Sequence, residues 1–401
     1  MAENAGGVPL GYLTQAAAIH VVGYSVFAAR LPSIIFGVFS YFGFGVLILQ
    51  AKLTRPMISL LLFALLPLQF RYASEARPYE QALCFTIWCS VLFLEIVARP
   101  RVWKSVVYAL LVSCAVYTQP FGLFIVAAHL GWVILTWKPE RKQLILNAGI
   151  AAIAGGLAFL PWFFFARNHW HQAISAAGTG TGMDLKTPIL IVREITGAGF
   201  PGAVLISILI FFGLTATDRP RDERLFWSLA LATPMLLTIS ADAAFGYFFA
   251  IRQMIFVLPA LAMLAAFGLE AYMAKHGKAA VTVVTVLFVT FLYSNFRFLT
   301  RPREDWQQAS KVVETQVRAG ACYVPLPESS GSLFEFFRPS LARHRCVTTT
   351  QEHRNEIVVA TSPYANLNEI QLRRTELHKA NFRLVIRDLN QQPLVQLWQR
   401  P

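Results

Sequence analysis

The stretch "MISLLLFALLPLQFRYASEARPYEQALCFTIWCSVLFLEIV", residues 57–97, sets two apolar runs on either side of ten residues that carry four charges. The second run is long enough to cross a hydrocarbon core of about 30 Å as a helix. The whole chain repeats this pattern. Hydrophobic residues fill 56% of its 401 positions and charged ones 14%, with a mean hydropathy of +0.50. A soluble chain carries about 25% charged residues, so the composition implies a polytopic α-helical membrane protein.

Ten apolar runs are expected to span: 31–49, 57–70, 79–97, 105–118, 120–136, 144–165, 201–216, 225–240, 253–273 and 279–296. An eleventh stretch, 10–26, holds Gly11, Gln15, His20 and Gly23 and makes a poorer span. The runs show no repeat, and no signal peptide of the usual form follows Met1–Gly7, which has no basic residue.

The net charge of +13 raises the question of nucleic acid, but its distribution answers otherwise. Lys52 and Arg55, then Arg99, Arg101 and Lys104, fall in alternate connections. So do Lys138, Arg141 and Lys142, then Arg219, Arg221 and Arg224, and finally Lys275 and Lys278. Under the positive-inside rule those five connections are cytoplasmic. The loops around Arg30, at 71–78, 167–200 and 241–252, and everything after about residue 297, then face outward. Ten spans with an outward C-terminus also require an outward N-terminus, so either a thirty-residue tail crosses unaided or a further span precedes residue 1.

The tail changes character. Residues 297–401 hold fifteen basic and ten acidic side chains. "ACYVPL", "EIVVATS", "FRLVIRDL" and "PLVQLW" predict strands, and "EDWQQASKVVETQV" predicts an amphipathic helix. The expected organisation is an interfacial segment over 1–30, a membrane domain over 31–298 and a small α/β outer domain over 299–401. Cys84, Cys89 and Cys114 lie in or beside spans as packing residues. Cys322 and Cys346 fall together in the outer domain, where an oxidising compartment permits a disulfide.

The charged decapeptide 71–80 invites chemistry. Pro78 suits a helix's first turn and keeps Arg77 in extended backbone. Glu80 then falls where the helix dipole favours a carboxylate. Arg71, Glu75 and Arg77 read in two ways: as an ion-pair cluster that solvates a loop, or as an anion site of two guanidiniums with a carboxylate as base or orienter. Arg252 opens the span "AIRQMIFVLPALAMLAA" and either snorkels to lipid phosphates or grips a specific one. In the loop 167–200, His169 and His171 lack a partner cluster for a metal, and "AAGTGTGMD" lacks the lysine of a phosphate loop. His129 reads as a hydrogen-bonded core residue. Trp306 reads as a docking residue, with Asp305 at a helix start.

Five segments occur in the order seen in bacterial GT-C-type glycosyltransferases: "FAARLPSIIFG" (27–37), "YASEARPY" (72–79), "VYTQPFGLFIV" (116–126), "IRQMIFVLPALAMLAA" (251–266) and "REDW" (303–306). Over about residues 8–310 the chain resembles protein mannosyltransferases and the aminoarabinose transferase. That resemblance implies a sugar taken from a polyprenyl-phosphate donor at the outer face of the bacterial cytoplasmic membrane. The acceptor is a hydroxyl of a glycan, lipid or protein. It implies a carboxylate as base and arginines that stabilise the departing phosphate. No cofactor is implied; a divalent cation is compatible and not required.

The expected lipid-phosphate residues are Arg71, Arg77 and Arg252. Tyr12, Tyr72 and Tyr79 are the expected pocket residues. The family's first span and its acidic loop have no counterpart here, and Pro9, Leu10 and Tyr12 only echo the proline-rich turn that follows that loop. Glu75 and Glu3 are the acids left as base, and segment 10–26 becomes an interfacial helix. Two readings compete with transfer. One is a transporter or flippase, and the other is a non-catalytic protein that presents its outer domain to a partner.

Overall fold

A computed structural model describes residues 8–138, 142–165, 187–245, 251–300, 304–346, 355–362, 365 and 367–401. The chain divides into two compact units, 1–300 and 301–401.

The first unit is helical. Its helices are α1 (Pro9–Val22), α2 (Val26–Gln50), α3 (Pro56–Leu65), α4 (Pro67–Ala73), α5 (Tyr79–Ala98), α6 (Val102–Thr118) and α7 (Leu123–Leu135). There follow α8 (Lys142–Leu157), α9 (Thr187–Thr196), α10 (Gly199–Thr215), α11 (Arg221–Phe245), α12 (Leu258–His276) and α13 (Lys278–Thr300). Among the described residues, six helical segments are long and apolar enough to cross a bilayer, or eight if each of two bent pairs counts as one span. Val102–Thr118 and Pro120–Leu135 are shorter apolar helices. The chain is a multi-pass membrane protein, and its helices expose Phe39, Phe42, Leu49, Leu110, Ile153 and Val289, a surface suited to lipid tails rather than water.

Two expected spans are not single helices. The run 57–70 breaks at Leu66, and α3 and α4 meet at 67°. Pro67 causes the break, since it cannot donate the hydrogen bond a continuous helix needs at that position. The run 201–216 is the second half of another pair, Ile189–Thr196 with Gly199–Thr215, bent by 93°. Gly197 and Gly199 both adopt positive φ there, +61° and +71°, the left-handed region glycine enters without a Cβ penalty.

The two breaks meet. A Cβ on Gly197 would lie 2.6 Å from Pro67 Cβ and 3.2 Å from the Leu68 nitrogen. Consecutive residues of α13 satisfy the carbonyls the breaks expose: Asn295 Nδ2 donates to Leu65 O at 3.1 Å and Ser294 Oγ to Gly197 O at 2.7 Å. Backbone freed inside a membrane must find such partners in neighbouring helices.

At the centre stands α12, which together with the turn before it, Gln253–His276, is almost wholly buried along its apolar length. Glycines let α10 cross it at backbone distance. A Cβ on Gly268 would collide with the Leu209 carbonyl, and one on Gly213 with the Leu264 carbonyl. At the far end of α12, buried Glu270 pairs with Arg219 and accepts from Thr54 Oγ1 at 2.7 Å and the Arg55 nitrogen at 2.9 Å. It thereby ties together two of the basic connections.

The second unit is α/β. Strands β1 (Cys322–Leu326), β2 (Glu356–Thr361), β3 (Arg383–Gln391) and β4 (Leu394–Gln399) form one sheet in the order β1-β2-β4-β3, with β1 and β2 parallel and the other pairs antiparallel. Three helices, α14 (Trp306–Arg318), α15 (Gly331–Phe337) and α16 (Leu367–Lys379), accompany it. One face buries Tyr323, Val358, Ala360 and Val395 with Ala309 and Val313 of α14 and Phe334 of α15. The other buries Val324, Ile357, Val359 and Trp398 with Leu377 of α16. Asp305 caps α14 by accepting from the Gln308 nitrogen at 2.8 Å, and Trp306 packs edge-on against Phe334 at 5.2 Å. Cys322 and Cys346 are joined by a disulfide.

Candidate functional site

The candidate site is the loop between α4 and α5, residues 74–78. Its arginines sit on opposite sides of one carboxylate. Arg71 Nε lies 3.1 Å from Glu75 Oε1, and Arg77 Nε lies 3.9 Å from Glu75 Oε2. Both guanidiniums are about half exposed, at 49% and 51%, whereas Glu75 is at 24%. Exposed pairs of this kind add little stability, a median of about 0–1 kcal/mol, so the cluster is not what holds the loop.

Packing around it holds the loop instead. Arg71 leans over Phe298 of α13, its Cζ 5.4 Å from the ring centroid, and over Tyr72 at 5.9 Å. Ser33 Oγ of α2 donates to Arg77 O at 3.1 Å. Pro78 rests on Gly11 of α1, where any Cβ would collide with the proline ring. Thr14 of α1 donates to Gln81 Oε1 at 2.9 Å. The N-terminal helix, α2 and the end of α13 therefore all meet this loop or the residues that flank it.

Below the loop lies a buried polar pair. Gln69 of α4 and Glu80 of α5 are both 0% exposed, and Gln69 Nε2 donates to Glu80 Oε1 at 2.9 Å. The four charges of the decapeptide therefore divide into two environments. Arg71, Glu75 and Arg77 form a partly exposed group, and Glu80 is withdrawn from it into the helix packing. Pro78 placed Glu80 in a first helical turn, but burial depends on α2 and α4, which sequence order does not show.

The remaining expected residues are dispersed. Tyr72 is buried and meets Tyr79 edge-on, ring centroids 5.0 Å apart, so the two rings pack on each other at the base of the loop. Tyr12 is exposed on α1. Glu3, His169, His171, the glycine-rich stretch of the loop 167–200 and the side chain of Arg252 lie outside the described residues. His129 is fully buried: its Nδ1 is 2.9 Å from the Tyr108 hydroxyl and its Nε2 is 3.2 Å from Ser90 Oγ. Both ring nitrogens therefore have a hydrogen-bond partner. That histidine is a satisfied core group. No group of three or more metal-ligating side chains occurs among the described residues.

Sequence reading passed over Gln69, Ser294, Asn295 and Glu270. The signal was available in outline, since each is a polar residue inside or beside an apolar run. What it could not supply was the partner.

No family model matches the chain, and no curated protein matches it. Among solved structures it is similar to an oligosaccharyltransferase of Archaeoglobus fulgidus, crystallised with a tethered acceptor peptide containing the NVT sequon. Identity is 13% and the TM-score 0.49, over 83% of this chain and 51% of that one. It is also similar to the arabinofuranosyltransferase AftD from mycobacteria, at 13% identity and a TM-score of 0.44, over 93% of this chain and 35% of the other. The chain spans about half the length of the first and about a third of the second.

Proposed function

We propose that this protein is a membrane glycosyltransferase of the GT-C type, which moves a sugar from a polyprenyl-phosphate donor to an acceptor hydroxyl of a glycan, lipid or protein. The observation that carries the reading is the pair Arg71 and Arg77, tethered through Glu75 at the end of a broken apolar helix. Each guanidinium turns Nε toward the carboxylate, and each has further N–H groups in a plane suited to phosphate oxygens. The order of the five sequence segments supports the same reading.

In this reading the acceptor hydroxyl attacks the anomeric carbon as the bond from that carbon to the phosphate oxygen breaks, and the hydroxyl proton passes to an oxygen of the departing phosphate. The bonding electrons go to the phosphate, and Arg71 and Arg77 neutralise the charge that appears there. Glu75 acts as the tether that sets the arginine spacing, because both its oxygens are turned to guanidiniums. The arginine-bearing loop and the disulfide-bonded α/β unit are assigned to the outer face of the bacterial cytoplasmic membrane. The alternating basic connections support this orientation, and an oxidising compartment suits the disulfide. A transporter would share the two bent helix pairs, but Asn295 and Ser294 fill the freed carbonyls at both breaks.

The test is binding of purified protein to vesicles of phosphatidylcholine with and without a polyprenyl monophosphate. Selective binding is expected, weakened by Arg71→Gln and Arg77→Gln. Equal affinity for polyprenyl monophosphate and phosphatidylglycerol would overturn the reading.

A further inference from the structure

Glu80 and Gln69 pose an accounting problem that the proposed transfer does not resolve. Both side chains are fully buried, and one hydrogen bond, Gln69 Nε2 to Glu80 Oε1, joins them. Glu80 Oε2 and Gln69 Oε1 are also buried, and neither has a hydrogen-bond partner among the described residues. Helix α2 closes over the pair at Gly37, where a Cβ would lie 3.7 Å from Glu80 Oε1. Ser40, Tyr41 and Cys84 are polar groups that face the pair; Ser40 donates to Phe36 O at 2.9 Å, and none of the three brings a positive charge. Among the described residues no arginine or lysine pairs with Glu80; Arg71 and Arg77 both turn to Glu75. A buried carboxylate with one hydrogen bond and no cation is strongly disfavoured.

One proton answers for both orphaned oxygens. We propose that Glu80 is a neutral acid whose Oε2–H donates to Gln69 Oε1, closing a reciprocal acid–amide pair that positions Arg71 and Arg77. The pair pins the two stems of the loop, since Gln69 precedes Arg71 by two residues and Glu80 follows Arg77 by three. It also sets the charge of the loop. With Glu80 uncharged, two guanidiniums face only Glu75, and one positive charge is left over for an anion. An ionised Glu80 would cancel it. Glu80 is thus a positioning residue: it touches no substrate and acts through the loop it closes. This role rests on the phosphate-binding reading above, whereas the protonation of the pair does not.

Two measurements test it. Infrared difference spectra of the full chain in lipid nanodiscs, wild type against Glu80→Gln, should show a carboxylic-acid carbonyl stretch that the variant lacks. Its absence from the wild type means an ionised Glu80 and overturns the proposal. The second measurement is affinity for a short-chain polyprenyl monophosphate in the same nanodiscs. Glu80→Leu and Gln69→Leu should each weaken binding roughly tenfold, the scale set by one charge-assisted hydrogen bond to phosphate. Glu80→Gln keeps a reciprocal, uncharged pair and should restore most of that affinity. If Glu80→Gln binds as poorly as Glu80→Leu, or if neither leucine variant differs from wild type, the positioning role is refuted. Should wild-type protein show no preference for the polyprenyl lipid, the transferase reading fails, and the infrared band alone decides the acid–amide pair. If a leucine variant does not fold, the glutamine variant and the infrared band still decide.

Discussion

Gly197→Ala is the substitution that best joins fold to function. Two costs arise at that position. An alanine at φ +61° enters the left-handed region, a penalty of about 1–2 kcal/mol. Its Cβ would also lie 2.6 Å from Pro67 Cβ, inside the ordinary contact range of 3.4–4 Å, so the two helix breaks must separate by several tenths of an ångström or more. Overpacking of this kind costs about 1–3 kcal/mol. Gly199 supplies the control. Its φ is +71°, but nothing lies within 4 Å of the added Cβ, so Gly199→Ala should bear only the backbone penalty. Thermal unfolding in one detergent should therefore rank wild type, Gly199→Ala and Gly197→Ala, with the last two separated by about 1–3 kcal/mol. Because α4 carries Gln69 and Arg71, Gly197→Ala should also weaken polyprenyl-phosphate binding, and Gly199→Ala should not. Equal unfolding of the two variants would show that the breaks do not touch.

Gly268→Ala forces α12 away from the Leu209 carbonyl and should lower the unfolding temperature in detergent, whereas Gly45→Ala on α2, with open space around it, should not. Glu270→Leu leaves Arg219 buried without its partner and should cost about 3–5 kcal/mol, part of which the double variant with Arg219→Leu recovers. In the α/β unit, a hydrogen bond from Ser340, with Arg318 and Arg338 nearby, holds the Glu314 carboxyl below the usual carboxylate range. A lowered value contributes stability above the ordinary carboxylate pKa and loses it as pH falls through the folded value. Glu314→Gln should flatten the acid limb of the unfolding curve for that unit, and an unchanged limb would remove Glu314 from the account.

The membrane class was legible because it depends on composition and run length, both local. So were the four strands and the amphipathic helix of the α/β unit, since alternation and 3.6-residue periodicity report which face is apolar without reference to any partner. The broken run 57–70 was half legible: Pro67 announced an interruption but not its 67° angle. The stretch 71–80 was half legible: Pro78 announced a helix start before Glu80, but not that Glu80 is buried against Gln69 of α4. Ser294 and Asn295 stood out only as polar residues in an apolar run, and their partners, 97 and 230 residues away, were not legible.

By itself the sequence determined that this chain is built of apolar helices with a small α/β unit, and which connections carry positive charge. Hydrophobic transfer acts on each segment separately, so a linear reading suffices for it. Only the tertiary structure decided that Gln69 meets Glu80, that Gly197 meets Pro67, and that α13 satisfies the carbonyls at both breaks. Hydrogen bonds are short and directional, and a polar side chain buried in a membrane takes its meaning from the partner that folding brings to it.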